Sequence, residues 1–482
     1  MLQREERKQR WNETIETTHA KDVYWKIKDR EKERQKHEKR WFWELLQNAK
    51  DSVDANQTIK VKLEITDEMV SFSHTGNPFK LDEIYTLIQQ GSSKTGEEGK
   101  GGRFGSGFIT TYLLSREVTI TGGLENDGGY FHFLLNRNTD DINRFCELQQ
   151  KSYDQFDDSF SPESYLPDNE FQTKFTYILD DKGKEIKEAG LECIYELIPV
   201  TLLFNEKIDT VSIIKNGKEK IFTNSLIRQY AEKSISEWQL DTIDSHIPGL
   251  KAYLYKDKQF MTCILTKKID KKETIFFTDD YPRLFLSFPL IGTEETGIPL
   301  IIDSVKFDPK IECSGIYFDL KNPENSYDII RKALLNSLES FAELFKTKNI
   351  DAIFEIFNFN CNEISDDNGK FLSIKKESID LLASKEIINY NNSGDDRVCL
   401  ERTDGETLVI PLAYKKENIE SLWDVFSYIK PVGIPLIEDL SNWLDIAKNI
   451  SFIKKMDVYD LPYVWNIERL INNFIVEKVS RN

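Results

Sequence analysis

A chain of 482 residues is long for one domain and reads as two or three. Its 39% hydrophobic content suffices for real cores, no apolar run is long enough to span a bilayer, and the N-terminal MLQREERKQRW lacks the apolar segment of a secretory signal. A formal net charge of −18 argues against whole-surface attraction to nucleic acid, although a local basic patch stays open.

The first forty residues, KIKDREKERQKHEKR above all, read as a polar, charge-laced helix rather than a nucleic-acid arm. Residues 41 to 55 read as an amphipathic helix entering the core. TIKVKLEITDEMVSFSHTG alternates with period two around a polar DE and predicts a hairpin turning near Asp67. FKLDEIYTLIQQ returns to helical spacing. After the Gly-rich GSSKTGEEGKGGRFGSGF, ITTYLLSREVTITGG predicts a helix and then a strand, and YFHFLLNR another strand. Residues 138 to 170 are acidic and polar and read as a surface excursion. FQTKFTYILD resumes a strand. VSIIKNGKEKIF is a hairpin signal, because Asn-Gly suits a type I′ turn. Further strands follow through LFLSFPL and IPLIIDSVKF, and NSYDIIRKALLNSLESFAELF opens a helix-rich remainder. The six cysteines lie far apart with no CxxC pair, which fits reduced thiols in a cytoplasmic protein and not a zinc site.

WFWELLQNAKDS, residues 41 to 52, carries the first chemistry. At 3.6 residues per turn Glu44, Asn48 and Asp51 fall within roughly a quarter of the circumference, and Leu45, Ala49 and Val53 share another face. Beside an aromatic triplet this helix is expected to be well buried. Buried carboxylates need a partner or a ligand. SHTGNPF, residues 73 to 79, ends a strand, and Gly76 before Pro78 lets backbone approach a ligand closely. In GGRFGSGF the glycines Gly102, Gly105 and Gly107 are spaced GxxGxG ahead of a helix expected from about Phe108, an arrangement that turns backbone N–H groups toward phosphate. No strand leads tightly into it and no GK[ST] follows, so it is neither a dinucleotide fingerprint nor a P-loop.

The ordered set ExxxNxxD, xTGxP, SSK, GxxGxG and Thr173 in FQTKFTYIL resembles the GHKL ATPases, which include gyrase B, the ninety-kilodalton heat-shock chaperones, histidine kinases and MutL. It looks most like the sacsin-type and MORC-type branch, over residues 41 to about 180. The resemblance implies an α+β chain: a Bergerat-fold α/β sandwich, with helices on one face of a mixed sheet, over 1–200; an α/β transducer-like domain over 201–325; and a helix-rich region over 326–482.

The same resemblance implies roles and cofactors, ATP and Mg²⁺. Glu44 would be the general base that activates water, and Asn48 would ligate the metal through its amide oxygen. Asp51 would organise the sugar or water side of the pocket. Ser93 and Lys94 would stand at the lid, with Gly102, Gly105 and Gly107 wrapping the phosphates. Gly76 would be among the ATP-binding residues, and Thr173 would reach the adenine end through its hydroxyl or a water. One departure matters: most of the superfamily has Asp at the position of His74, where it accepts a hydrogen bond from the adenine amino group. A neutral imidazole still accepts one hydrogen bond, so the expectation is either a direct contact or a structural histidine. Arg283, Lys306 and Lys310 are open candidates for a γ-phosphate contact, and Cys313 stands where the branch often has Arg.

Three uses of ATP are open. The first is a clamp in which ATP closes a homodimer and the C-terminal part acts on a protein partner or effector, or on a nucleic-acid partner, the latter not supported by the net charge, with an anti-phage defence role implied by bacterial members of the branch. The second is a sacsin-like chaperone, or a nucleotide-sensing module without turnover. The third is a histidine kinase, for which His19 and His37 lack an acceptor box. No topoisomerase, nuclease or MutL-type endonuclease signature is readable.

Overall fold

The computed structural model describes residues 2–89, 107–125, 129–159, 170–230, 234–242, 249–277, 281–310, 315–317, 325–359, 370–390, 397–401, 408–413, 418–429 and 433–480. The chain is α+β and divides into two compact units. One comprises Met1–Asn224 with Leu240–Ser245 and Ser287–Ile291; the other comprises Ser225–Gln239, His246–Leu286 and Gly292–Asn482.

The first unit begins with α1 (Leu2–Lys32), α2 (Arg34–His37) and α3 (Trp41–Asp51). It continues with β1 (Ile59–Ile65), β2 (Met69–His74), α4 (Leu81–Gln89), a 3₁₀ turn (Phe108–Leu113), β3 (Glu117–Gly123), β4 (Tyr130–Asn136), α5 (Ile142–Ser159), β5 (Thr173–Ile178), α6 (Asp181–Phe204), β6 (Ile208–Lys215) and the start of β7 (Lys218–Tyr230), whose residues from Ser225 on belong to the second unit. The sheet order is β4–β3–β5–β2–β1–β6–β7. β1 and β6 are parallel and the other neighbours antiparallel, so the sheet is mixed. The predicted alternation decides which face is covered. Ile59, Val61, Leu63 and Ile65 are buried on one face of β1, with Lys60, Lys62 and Glu64 on the other. Phe131, Phe133 and Leu135 of β4 and Thr173, Phe175 and Tyr177 of β5 continue the covered face. Such one-sided burial is what an antiparallel ladder under a helix layer produces. The hairpin turn falls between Ile65 and Met69, and Asn216 and Gly217 both take positive φ at the β6–β7 turn, as a type I′ turn requires. β6 lies beyond the division expected at residue 200 and is hydrogen-bonded into this sheet beside β1.

The acidic stretch after residue 138 departs from expectation. Residues 142 to 159 form α5, with Phe145, Leu148, Ser152 and Phe156 buried at helical spacing. Phe156 packs edge-to-face on Phe131 and Phe133, and Phe145 on Tyr24 of α1. Glu147, Asp154, Asp157 and Asp158 hold the exposed side, so composition hid a narrow apolar stripe. Residues 160–169 of that stretch lie outside the described residues.

The second unit holds most of β8 (Ile235–Thr242), then β9 (Lys251–Lys256), β10 (Met261–Ile269), β11 (Lys272–Ile275) and β12 (Leu284–Leu286). β13 (Phe288–Pro289) belongs to the first unit, and β14 (Ile301–Asp303) to the second. β10 pairs antiparallel with β9, β11 and β14. The chain then turns helical, as expected, through α7 (Ser326–Phe345), α8 (Lys370–Ala383), α9 (Ile419–Ile429), α10 (Leu440–Lys454) and α11 (Ile467–Ser480). The side chain of Asn325 caps α7 by accepting from the Asp328 N–H at 2.9 Å. Phe345 of α7 meets Tyr253 of β9 edge-to-face. No helix among the described residues is long and apolar enough to cross a membrane. Cys146, Cys193, Cys263 and Cys399 carry free thiols.

Candidate functional site

α3 is fixed by its aromatic run. Trp41, Phe42 and Trp43 are buried, and the Phe42 ring lies edge-to-face on Phe72 of β2 with centroids 6.1 Å apart. Leu45, Leu46 and Ala49 are buried as well. A helix held on this much of its surface cannot roll, so its remaining arc is set by the sequence. That arc presents Glu44, Asn48 and Asp51, all partly exposed. The spacing predicted this shared face.

Two contacts define Glu44. Arg40, one turn earlier, donates from Nη2 to Glu44 Oε1 at 2.6 Å, and both side chains are largely buried. A charge-assisted bond of this length fixes the carboxylate plane. The i, i+4 pairing was legible in RWFWE but not singled out. On the other side, a Cβ placed on Gly107 would overlap Glu44 Oε2. The backbone at the start of the 3₁₀ turn therefore lies directly against the carboxylate, and a side chain at this position would make the carboxylate shift. Gly107 is thus brought to Glu44, 63 residues away in sequence, by the fold.

The end of β2 supplies the second group. His74 is buried, and its Nδ1 accepts the Gly76 N–H at 3.0 Å. A Cβ on Gly76 would collide with Ser52 Oγ and His74 Nδ1, so the glycine here serves close approach, as expected. Burial pushes the His74 imidazole down to about 4, which leaves it neutral at pH 7. With Nδ1 accepting, the ring proton sits on Nε2. The acceptor nitrogen of His74 is already used by its own turn, and what the ring retains is a donor.

Thr173 opens β5 and is paired in register with His74, so the two side chains stand next to each other on the covered face. The Thr173 hydroxyl is fully buried with no hydrogen-bond partner among the described residues. A buried unsatisfied hydroxyl costs about 1–3 kcal/mol, so its persistence points to a ligand or water. The segment after Gly76 is tied down where Phe79 donates to the Gly123 carbonyl at 2.9 Å and accepts from Glu125 at 2.8 Å.

Ser93, Lys94, Gly102 and Gly105 lie outside the described residues, as does Cys313. His37 is fully buried, and its Nε2 accepts from Arg30 at 2.8 Å, since guanidinium only donates. Burial and the neighbouring Arg30 and Arg40 push its imidazole down to about 4. That setting suits a structural histidine, not a phosphoryl acceptor. His19 is exposed on α1. Of the other basic candidates, Arg283 is buried with its guanidinium over the Phe277 ring, whereas Lys306 and Lys310 are exposed, all three in the second unit.

No protein-family model matches the chain, and a search of the curated proteins finds no match.

Chemically, the first unit offers an oriented carboxylate under a glycine backbone, an amide and a second carboxylate on the same helical face, and a neutral histidine beside an unsatisfied hydroxyl.

Proposed function

We propose that the first unit binds and hydrolyses ATP with Mg²⁺ as a GHKL-type, Bergerat-fold ATPase, and that hydrolysis gates a conformational or dimerisation clamp. The observation that carries this reading is that Gly107, from the glycine-rich motif, lies against Glu44, from the helix motif. Two separated sequence motifs are in contact where a phosphate-wrapping loop and a general base would have to meet. The residues fit the implied groups. Gly76 and Gly107 provide two cradles that a Cβ would fill, and Thr173 holds a buried hydroxyl without a partner among the described residues. Asn48 offers a neutral amide oxygen on the helix face of Glu44.

In this reading Glu44 takes the proton of the attacking water, and Arg40 keeps the carboxylate aimed. Asn48 would hold the magnesium ion, which when bound supplies charge neutralisation on the phosphate oxygens. Gly107 keeps the space over Glu44 free of side chain. By the resemblance Ser93, Lys94, Gly102 and Gly105 would serve the phosphate end, and Asp51 the sugar or water side. The second unit would act as transducer and as the contact for a protein partner or effector. A cytoplasmic place and an anti-phage defence role belong to the same proposal, supported by the resemblance and by six widely spaced cysteines.

The test is ATP hydrolysis with Mg²⁺, wild type beside Glu44→Ala, with light scattering in ADP and in a non-hydrolysable ATP analogue. Loss of turnover with retained binding in Glu44→Ala, and ATP-dependent dimerisation, is the expected result. Wild-type turnover in Glu44→Ala would remove Glu44 as the base, and binding without turnover in the wild type would make this a nucleotide-sensing module.

A further inference from the structure

In the second unit, β15 (Ile350–Asp351) runs parallel to β11, with Thr274 opposite Asp351. The start of α10 closes a cavity beside this pair, of about 220 Å³, where one water needs roughly 10–15 Å³. Much of its wall is apolar. Ile350 and Trp443 are buried, and Phe354 meets Trp443 edge-to-face with centroids 6.2 Å apart. Asp351, Glu438 and Asp439 also line it, against one cation, Lys272, which is paired with Asp351 at 3.2 Å. Glu438 is exposed and answered by water. Asp439 is not. It is the N-cap residue of α10, where an aspartate ordinarily accepts a helix N–H, yet its side chain makes no cap bond. It makes no other hydrogen bond or ion pair among the described residues. Burial, with Glu438 and Asp351 nearby, pushes its carboxyl up to about 6 despite Lys272. A second group is left open in the same place. The Trp443 side chain is only 2% exposed and lines the cavity, and its indole N–H has no hydrogen-bond partner among the described residues. A buried indole N–H ordinarily has one.

An unpaired carboxylate calls for a cation, an unpaired N–H for an acceptor, and the aromatic pair for an apolar stem. A metal ion does not answer these needs, since among the described residues no three carboxylate, imidazole or thiol groups gather as a metal site requires. An anion would face three carboxylates, and a neutral apolar molecule would leave Asp439 and Trp443 unsatisfied. We infer that this cavity binds an alkylammonium that carries an acceptor on its stem, with the ammonium on Asp439, the stem along Phe354 and the Trp443 ring, and the acceptor on the Trp443 N–H. A lysine has this chemistry, either as a free amino-acid derivative or displayed by a partner polypeptide. The site lies wholly within the second unit and does not depend on the nucleotide reading.

The experiment is calorimetric titration of the full chain with Nα-acetyl-lysine methylamide and with Nα-acetyl-norleucine methylamide, which keeps the stem and both amides but lacks the ammonium. Expected is binding of the lysine compound about tenfold or more tighter than that of the norleucine compound, a preference that Asp439→Asn abolishes. Asparagine caps a helix as well as aspartate does, so this variant keeps the start of α10. Trp443→Phe keeps an aromatic ring and removes the N–H, and is expected to weaken binding of the lysine compound by about threefold or more. A peptide with one central lysine separates the two sources. Binding as tight as that of the capped residue or tighter assigns a polypeptide, and weaker binding assigns a free ligand. No binding of the lysine compound at millimolar concentration overturns the inference. So does equal binding of the norleucine compound, or unchanged affinity for the lysine compound in either variant. Should the variants not fold, the comparison of the two compounds on the wild type decides.

Discussion

Gly107→Ala separates steric support of the site from support of the fold. Gly107 has φ −62° and ψ −49°, a helical conformation that alanine adopts freely, so the substitution carries no backbone strain. Through the unfolded chain alone it would stabilise by about 0.4–1 kcal/mol. The added methyl, however, would overlap Glu44 Oε2, while Arg40 holds Oε1 at 2.6 Å. The carboxylate must rotate off its rotamer, at a cost of roughly 0.5–1.5 kcal/mol. The two effects nearly cancel, and urea denaturation is expected to place the variant within about 1 kcal/mol of wild type. Turnover responds differently, because a general base displaced by about an ångström loses on the order of a hundredfold in rate. The assay is steady-state ATP hydrolysis with nucleotide binding measured in parallel. Gly123→Ala is the control, since its Cβ would meet the Tyr130 ring at 3.5 Å and the Gly129 carbonyl oxygen at 3.8 Å, both ordinary contacts. Wild-type hydrolysis in Gly107→Ala, with Glu44→Ala inactive, would refute the reasoning, for it would mean that the carboxylate position seen here is not the working one.

Two further outcomes follow from buried titratable groups. Burial holds His74 at about 4 in the fold against 6.5 when exposed, so the unfolded chain takes up the proton first as pH falls. Stability is then level above pH 6.5 and declines between 6.5 and 4, by on the order of 3 kcal/mol from this group. Urea denaturation as a function of pH is expected to show a shallower decline in His74→Asn, with the remainder carried in part by His37, which is displaced in the same direction; an unchanged slope would contradict the assignment. In the second unit, Glu237 is buried and accepts from Lys251 at 2.9 Å and from Lys348 and Tyr230 at 2.8 Å each. Lys348 also donates to the Tyr253 hydroxyl at 2.6 Å, which donates to Glu273 at 2.6 Å. Lys348→Met removes two charge-assisted bonds and is expected to cost about 2 kcal/mol in guanidinium unfolding, with hydrolysis unaffected. A loss within experimental error would mean that water replaces the ammonium.

Much of the first unit could be read from local pattern. Period-two alternation gave β1 and β2, Asn216–Gly217 gave the β6–β7 turn, and the 4-and-3 spacing of Glu44, Asn48 and Asp51 gave their common face, because each depends on geometry repeated within a few residues. α5 was missed because its four-position stripe is diluted by acidic residues, and only the aromatic floor of β4 makes that stripe worth burying. What the tertiary structure alone decided is pairwise and non-local. It sets Gly107 against Glu44, and it sets His74 beside Thr173 through a strand pairing that spans 99 residues. The tautomer of His74 belongs to the same class. A histidine in a sequence offers one donor and one acceptor without saying which is spent; the fold spends the acceptor on Gly76, because the turn brings that N–H within 3.0 Å of Nδ1.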